Sequence, residues 1–201
     1  MDHNQEVTLA AYNQCFDQFY AGTDRFMVPE VQAWVDLALS RCSPTSKIFE
    51  IGTGLGTEAD YMEERGFSVM RSDVAESFIE YNQKKDKEIV RFDVLLDQFL
   101  DRYDMIFADA VFLHFSEAQL VTALRKINEA LLPQGQLVFC TKLGSGDEMI
   151  VKKLDLPRYF KYWQADDLNN LLVKEGYVVD LLKVLPSAGG WIVVIAHPAN
   201  Q

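Results

Sequence analysis

Ile48-Phe49-Glu50-Ile51-Gly52-Thr53-Gly54-Leu55-Gly56-Thr57 decides the reading of this chain. An apolar run stops in three alternating glycines, and a helical pattern begins at once. A second apolar run, Phe67 to Met70, then leads to Asp73, seventeen residues after Gly56. This is the order strand, tight glycine turn, helix, strand, carboxylate. Such a unit lets backbone approach a nucleoside-bearing cofactor and offers an acid to a ribose diol. The spacing is not that of a dinucleotide-binding turn, because Thr57 stands where a third glycine would follow G-x-G-x-x. It is not a phosphate-binding loop either, since no Lys-Ser or Lys-Thr follows the glycines.

Working outward, strand and helix signals alternate. Strands are predicted over 47–51, 67–72, 88–92, 104–108 and 136–141, and helices over 57–65, 75–85 and 116–131. A short helical segment is expected around 94–100, and Leu132-Pro133-Gln134-Gly135 reads as a turn. Repeated alternation of this kind builds a parallel sheet with helices on both faces. Right-handed crossovers then place the glycine turn at the carboxyl edge of the strands. Beyond Thr141 the rhythm changes. Gly144-Ser145-Gly146-Asp147 is a break, and Leu156 to Trp163 is aromatic and basic, read as a lid or loop over a pocket. A helix over 164–175 with Gly176 as its cap precedes strands 177–185 and 191–196. The joint Pro186 to Gly190 is short enough only for an antiparallel hairpin. Before the sheet, residues 6–20 carry a near-helical apolar period, Gly22-Thr23 ends that segment, and Pro29 opens a second helix. Residues 1–45 are therefore expected to form a helical cap belonging to the same domain as residues 46–201.

Composition narrows the partners. The chain has 201 residues, 49% of them hydrophobic, and a net charge of −11. That charge repels phosphate backbones, so nucleic acid is not expected as a partner. No apolar run approaches the roughly 20 residues that span a bilayer, and no polybasic amphipathic stretch suggests a membrane surface. The polar start Met1 to Glu6 is unlike a signal peptide. The cysteines Cys15, Cys42 and Cys140 lack metal-like spacing and read as small, reduced, buried residues of a cytoplasmic protein. His3 and His197 form no metal set with other ligands, so no metal is expected. Nothing in these features sets an oligomeric state.

Glu50-Ile51-Gly52-Thr53-Gly54-Leu55-Gly56 closely resembles the first motif of class I S-adenosylmethionine-dependent methyltransferases. The resemblance has good motif matches from about residue 46 to 143 and continues more loosely to 197. It implies a Rossmann-like α/β sheet of seven strands, order 3-2-1-4-5-7-6, with the last strand antiparallel. It implies S-adenosyl-L-methionine as cofactor and S-adenosyl-L-homocysteine as product. Asp73 matches the acid that bonds the ribose hydroxyls. Arg91-Phe92-Asp93-Val94 looks like the segment whose acid contacts the adenine amino group, with Phe92 and Val94 as walls. Tyr103 to His114 is similar to the fourth strand and the loop beside the transferred methyl. Leu131 to Leu137 matches the turn into the fifth strand, and Thr141-Lys142-Leu143-Gly144 lacks the ligands of the metal-dependent members.

The candidate cofactor residues are Glu50, Gly52, Thr53, Gly54, Gly56, Asp73, Val74, Phe92, Asp93, Val94, Asp109 and Ala110. Glu50 could equally hold the turn by hydrogen bonds to backbone amides. Asp73 and Asp93 could also serve as helix caps, and Asp109 as a turn residue. His114 is the candidate general base, because neutral imidazole can take a proton near pH 7; a site-lining or structural role is the alternative. Tyr12, Phe16, Tyr20 and Arg25 are candidates for a cap closing over the cofactor. Arg158, Tyr159, Lys161, Tyr162 and Trp163 are candidates for an acceptor pocket. The expected reaction is methylation of a small molecule. The alternatives are a protein acceptor, a non-catalytic cofactor binder and, against the glycine spacing, an NAD-dependent oxidoreductase.

Overall fold

A computed structural model describes residues 2–24, 26–185 and 190–199. Five parallel strands carry the first half of the sheet: β1 (Lys47–Ile51), β2 (Ser68–Asp73), β3 (Ile89–Arg91), β4 (Tyr103–Ala108) and β5 (Leu131–Leu143). Two more, β8 (Tyr177–Leu185) and β9 (Trp191–Pro198), form the antiparallel hairpin, and β9 lies antiparallel beside β5. The continuous order is β3-β2-β1-β4-β5-β9-β8, the expected seven-strand order with its reversed strand. The joint at 186–189 lies outside the described residues.

Side-chain alternation along these strands sorts the core into two faces. Phe49, Ile106, Leu137, Phe139 and Val194 pack on one side, with α6 (Glu117–Ala130) and α7 (Ala165–Lys174). Ile48, Met105, Phe107, Val138 and Val193 pack on the other, with Trp34, Val35 and Ala38 of α3 (Pro29–Leu39). β1 is buried on both faces, so it reads as an unbroken apolar run apart from Glu50.

Four expectations need correction. The segment 94–100 is a turn and not a helix: Asp93 accepts from the Leu95 amide, and its own amide bonds Asp97, so the carboxylates bend the chain locally. β5 begins at Leu131, not 136. Its register with β4 jumps from Tyr103–Leu131 to Met105–Gln136, so the proline–glycine turn survives as a bulge inside the strand. The first helix is broken at Cys15 into α1 (His3–Gln14) and α2 (Phe16–Ala21). The largest change follows Leu143, where two extra strands appear: β6 (Asp147–Ile150) and β7 (Arg158–Trp163). The segment read as a lid or loop is thus an alternating aromatic strand, the pattern that suits a pleated surface.

β7 takes an unusual seat. Lys142 of β5 pairs with Trp191 of β9 and with Tyr162 of β7, so these partners occupy opposite edges of β5. β4 uses the β7 edge lower down, as far as Ala108–Phe139. β7 therefore continues that edge beyond the carboxyl end of β4. α1 closes the same region from above: Thr8 accepts the Tyr159 amide of β7 at 2.9 Å. Asp2, which caps α1, also accepts from Gln119 in the capping box of α6 at 2.7 Å.

The helices α4 (Thr57–Glu64) and α5 (Glu76–Lys84) clamp the glycine turn through a buried cation. Arg71 on β2 is 1% exposed and pairs with Asp60 at 2.6 Å and Glu63 at 2.8 Å. A Cβ at Gly56 would stand 2.5 Å from Arg71 Nη1, at φ +79°. A Cβ at Gly52 would stand 2.5 Å from a Val111 methyl carbon, whereas one at Gly54, at φ +53°, would meet only the Gly52 carbonyl oxygen, at 4.0 Å. Gly56→Ala should therefore lose about 2–4 kcal/mol in urea unfolding, from strain plus overpacking. Gly54→Ala should lose about 1–2 kcal/mol, from backbone strain alone.

Candidate active site

The carboxyl edge of the sheet opens into a cavity of 760 Å³. Its floor is the glycine turn. Asp73 Oδ2 accepts the Gly54 amide at 3.0 Å, and Oδ1 accepts the amides of Val74 and Ala75, each at 2.8 Å. Asn82 accepts from Arg71 and donates to the Gly54 carbonyl at 2.9 Å. Both polar groups of Gly54 are thereby held, and the residue lines the cavity. Burial pushes the Asp73 pKa up, and its three backbone donors oppose the shift. A carboxylate has about four acceptor sites; three are in use here, which leaves one on Oδ2.

Gly52, Thr53, Gly54, Asp73, Val74, Phe92, Asp93, Val94, Asp109, Ala110 and His114 all line this cavity. Glu50 and Gly56 do not. Gly56 lies beneath the turn against Arg71, and Glu50 accepts the Thr53 hydroxyl inside the core. Its partner here is the Thr53 side-chain hydroxyl of the turn, not a backbone amide. Burial raises the Glu50 pKa to about 7. Arg25 lies outside the described residues.

One end of the cavity is acidic. Asp109 ends β4 and accepts the Cys140 thiol at 2.5 Å, while the Ala110 amide donates to that sulfur at 3.3 Å. Ala110 holds a left-handed φ of 55°, a strained conformation for a non-glycine residue. Burial raises the pKa of Asp109. Glu58, in the first turn of α4, lines the same cavity. Burial first, and then Asp109 and Glu50, push its pKa well up. The sequence reading missed Glu58; its signal is an acid two residues past the last glycine, on the helix turn that faces the site. Of the three cysteines, all free, only Cys140 is buried; Cys15 and Cys42 are half-buried.

His114 closes a short 3-10 turn (Phe112–His114) after β4. Its Nδ1 lies 2.7 Å from the Tyr159 carbonyl oxygen. A carbonyl only accepts, so Nδ1 carries the proton and Nε2 accepts the Tyr12 hydroxyl at 2.8 Å. Tyr12 in turn accepts from Arg158 at 3.2 Å. Burial, then this backbone bond and the nearby Arg158 charge, leave the His114 pKa at about 4. The imidazole is neutral, and its free lone pair is engaged. Phe16 and Tyr20 pack beside Phe78 and Tyr81 of α5 in an aromatic cluster that carries α1 and α2. On β7 the residues facing the cavity are Arg158, Phe160 and Tyr162, every second one, whereas Trp163 enters the core. Tyr159 and Lys161 do not line it.

Among the described residues no group of three or more His, Cys, Asp or Glu side chains is arranged to hold a metal ion, and no helix is long and apolar enough to cross a membrane. A family profile described as a methyltransferase domain matches residues 23–182. The chain belongs to this methyltransferase family. No curated protein matches the sequence. Solved structures match its fold. The 1,6-didemethyltoxoflavin-N1-methyltransferase of Burkholderia thailandensis, with bound 1,6-didemethyltoxoflavin and S-adenosylhomocysteine, has a TM-score of 0.75 at 14% identity. That match covers 100% of this chain and 92% of the other. The CcbJ methyltransferase of Streptomyces caelestis has a TM-score of 0.75 at 14% identity, covering 96% and 99% of the two chains. The DhpI–SAH complex has 0.74 at 16% identity and covers both chains completely. Two of these likenesses cover the whole of this chain.

The two perturbed groups make opposite contributions to stability. His114 titrates near 4 when folded, below its ordinary 6.5. The unfolded chain then binds more protons between these values, so this contribution is complete above pH 6.5 and is lost as pH falls to 4. Glu50 titrates near 7 when folded, above its ordinary 4.5. Its contribution is complete below pH 4.5 and is lost as pH rises to 7. Each is worth at most about 3 kcal/mol. The stability gap between wild type and His114→Asn should widen with pH from 4 to 6.5 in urea titrations. The gap to Glu50→Gln should narrow from 4.5 to 7.

Proposed function

We propose that this domain transfers a methyl group from S-adenosyl-L-methionine to a small-molecule acceptor. The observation that carries the reading is Gly54. It is held at both its amide and its carbonyl, it is open on its Cβ side, and it stands beside a carboxylate with one acceptor site left. That is a cradle for a ribosyl group that approaches backbone closely. No lysine stands in the turn to clamp a pyrophosphate, and none is needed for a cofactor that lacks one.

Gly52, Thr53 and Gly54 would lie under the cofactor, and Asp73 would bond one ribose hydroxyl. Asp93, with the walls Phe92 and Val94, would hold the adenine. The acidic end at Glu58 and Asp109 suits a ligand carrying an ammonium and a sulfonium, since cations bring buried carboxylates back to their charged form. When bound, S-adenosylmethionine supplies an electrophilic methyl whose carbon–sulfur bond breaks as the acceptor's bond to carbon forms. The chain's part is alignment and exclusion of water, which together can lower such a barrier by as much as about 7–11 kcal/mol. A cavity of 760 Å³ falls within the range of about 300–1,000 Å³ usual for small-molecule sites. Residues of α1 and β7 add to its lining, and its size favours a small acceptor over a protein segment.

His114 is the candidate base in this reading. A proton from the acceptor reaches Nε2 only when the Tyr12 hydroxyl turns aside, so its first task is to orient Tyr12. The negative charge and free cysteines fit a cytoplasmic enzyme acting apart from nucleic acid and membranes. Calorimetric titration with S-adenosylhomocysteine, with NAD as control, tests the assignment. The first should bind at micromolar Kd and the second should not. Asp73→Ala should weaken the first at least tenfold, about 1.4 kcal/mol. Binding of NAD instead, or of neither ligand, overturns it.

A further inference from the structure

The cavity lining also holds cations, in a chain whose net charge is −11. Arg158 is 5% exposed and lines the cavity. Its Nη1 donates to Tyr12 and its Nη2 to the Lys152 carbonyl, at 2.8 Å. Its Nε is buried and has no hydrogen-bond partner. Among the described residues no carboxylate pairs with it. A buried charge of this kind is costly unless a counter-ion compensates it. Elsewhere the chain does so fully: Arg71, equally buried, has two carboxylates and an amide. Lys152 and Lys153 also line the cavity without ion pairs among the described residues. Lys153 rests on the Thr23 hydroxyl at 2.7 Å and over the Phe19 ring at 4.4 Å. The lining is also aromatic, with Phe19 under Lys153, Phe160 beside Arg158, and Tyr162 and Trp191.

We infer that Arg158, flanked by Lys152 and Lys153, is the receptor for a carboxylate on the methyl acceptor, and that the acceptor is an aromatic acid. A planar apolar body suits the ring-lined wall, and a carboxylate completes the guanidinium's open donor set. Arg158 stands on β7, on a different element from the glycine turn, Asp73 and Asp93 that would hold the ribose and adenine, and the anion it awaits is assigned to the second substrate, the cofactor's own carboxylate being the competing outcome of the test. The identity of that substrate class rests on the methyl-transfer reading; the carboxylate receptor itself does not.

The test compares a panel of hydroxy- and aminobenzoates, naphthoates and quinoline carboxylates with their matched primary amides. Affinities are read from the tryptophan fluorescence of the full chain, with and without S-adenosylhomocysteine. At least one acid should bind tenfold or more tightly than its amide. Arg158→Gln should reduce that preference below threefold, and Arg158→Lys should restore part of it. Should Arg158→Gln fail to fold, Lys152→Gln/Lys153→Gln, on exposed residues, should weaken acids two- to threefold and leave amides unchanged. Equal binding of acids and amides, no binding by any acid, or a preference that survives these substitutions overturns the inference. So does a tenfold loss of S-adenosylhomocysteine affinity in Arg158→Gln with the acid preference intact, which would assign the guanidinium to the cofactor's own carboxylate. Failure of wild type to bind S-adenosylhomocysteine, with acids still preferred, would instead fell the methyl-transfer reading and keep the receptor.

Discussion

Three backbone amides converge on the carboxylate of Asp73, and the site is arranged around that convergence. One amide belongs to the loop after β1 and two to the chain entering α5. Separate segments are thus fixed to one another by a single buried side chain. Charge-assisted hydrogen bonds to a carboxylate are about twice as strong as neutral ones. They permit a turn of left-handed glycines to hold one shape. Beneath it, Arg71 and its carboxylates brace α4 against β2 and fill the space that a side chain at Gly56 would need. The glycines therefore have three different reasons: one is packed against Val111, one against Arg71, and one is left for a ligand.

The cavity built on this floor is lined by both signs of charge, Glu58 and Asp109 among the acids and Arg158, Lys152 and Lys153 among the cations. In its lining the hydroxyl of Tyr12 links His114 to Arg158. Burial keeps the imidazole neutral and the Tyr159 carbonyl holds its proton on Nδ1, which leaves Nε2 to accept from Tyr12. The Tyr12 link ties three elements distant in sequence, α1, the turn after β4, and β7, through groups that would be unpaired if any of them left.

Much of this was legible in the residues. Short apolar runs with glycine or proline ends located β1 to β4 to within a residue, whereas β5 was found only in its second part. The turn and Asp73 carried the site, because their chemistry is local and their spacing is stereotyped. What escaped depended on three-dimensional neighbours. Arg71 lies within a strand pattern and looks like an ordinary surface cation until its carboxylates arrive from α4. Glu58 has no marker apart from its place beside the glycines. Arg158 to Trp163 alternates as a strand should. Its preceding break and its charges masked the pattern, and the edge it needed was vacant only because β4 stops at Ala108. Asp93 bends the chain through its own carboxylate, which overrode a weak helical period.

The position of β9 has a consequence for how the chain reaches this structure. In space it lies between β5 and β8, yet in sequence it is the last strand. The sheet must keep a place beside β5 open until the final segment enters it, and such non-local pairing is slow. The floor of the site closes from residues already in sequence order, β1 to β4. The wall near Trp191 waits for β9. Until then the apolar edge of β5 has no cover, so the interval before β9 docks is when this protein is most exposed to association with its own kind.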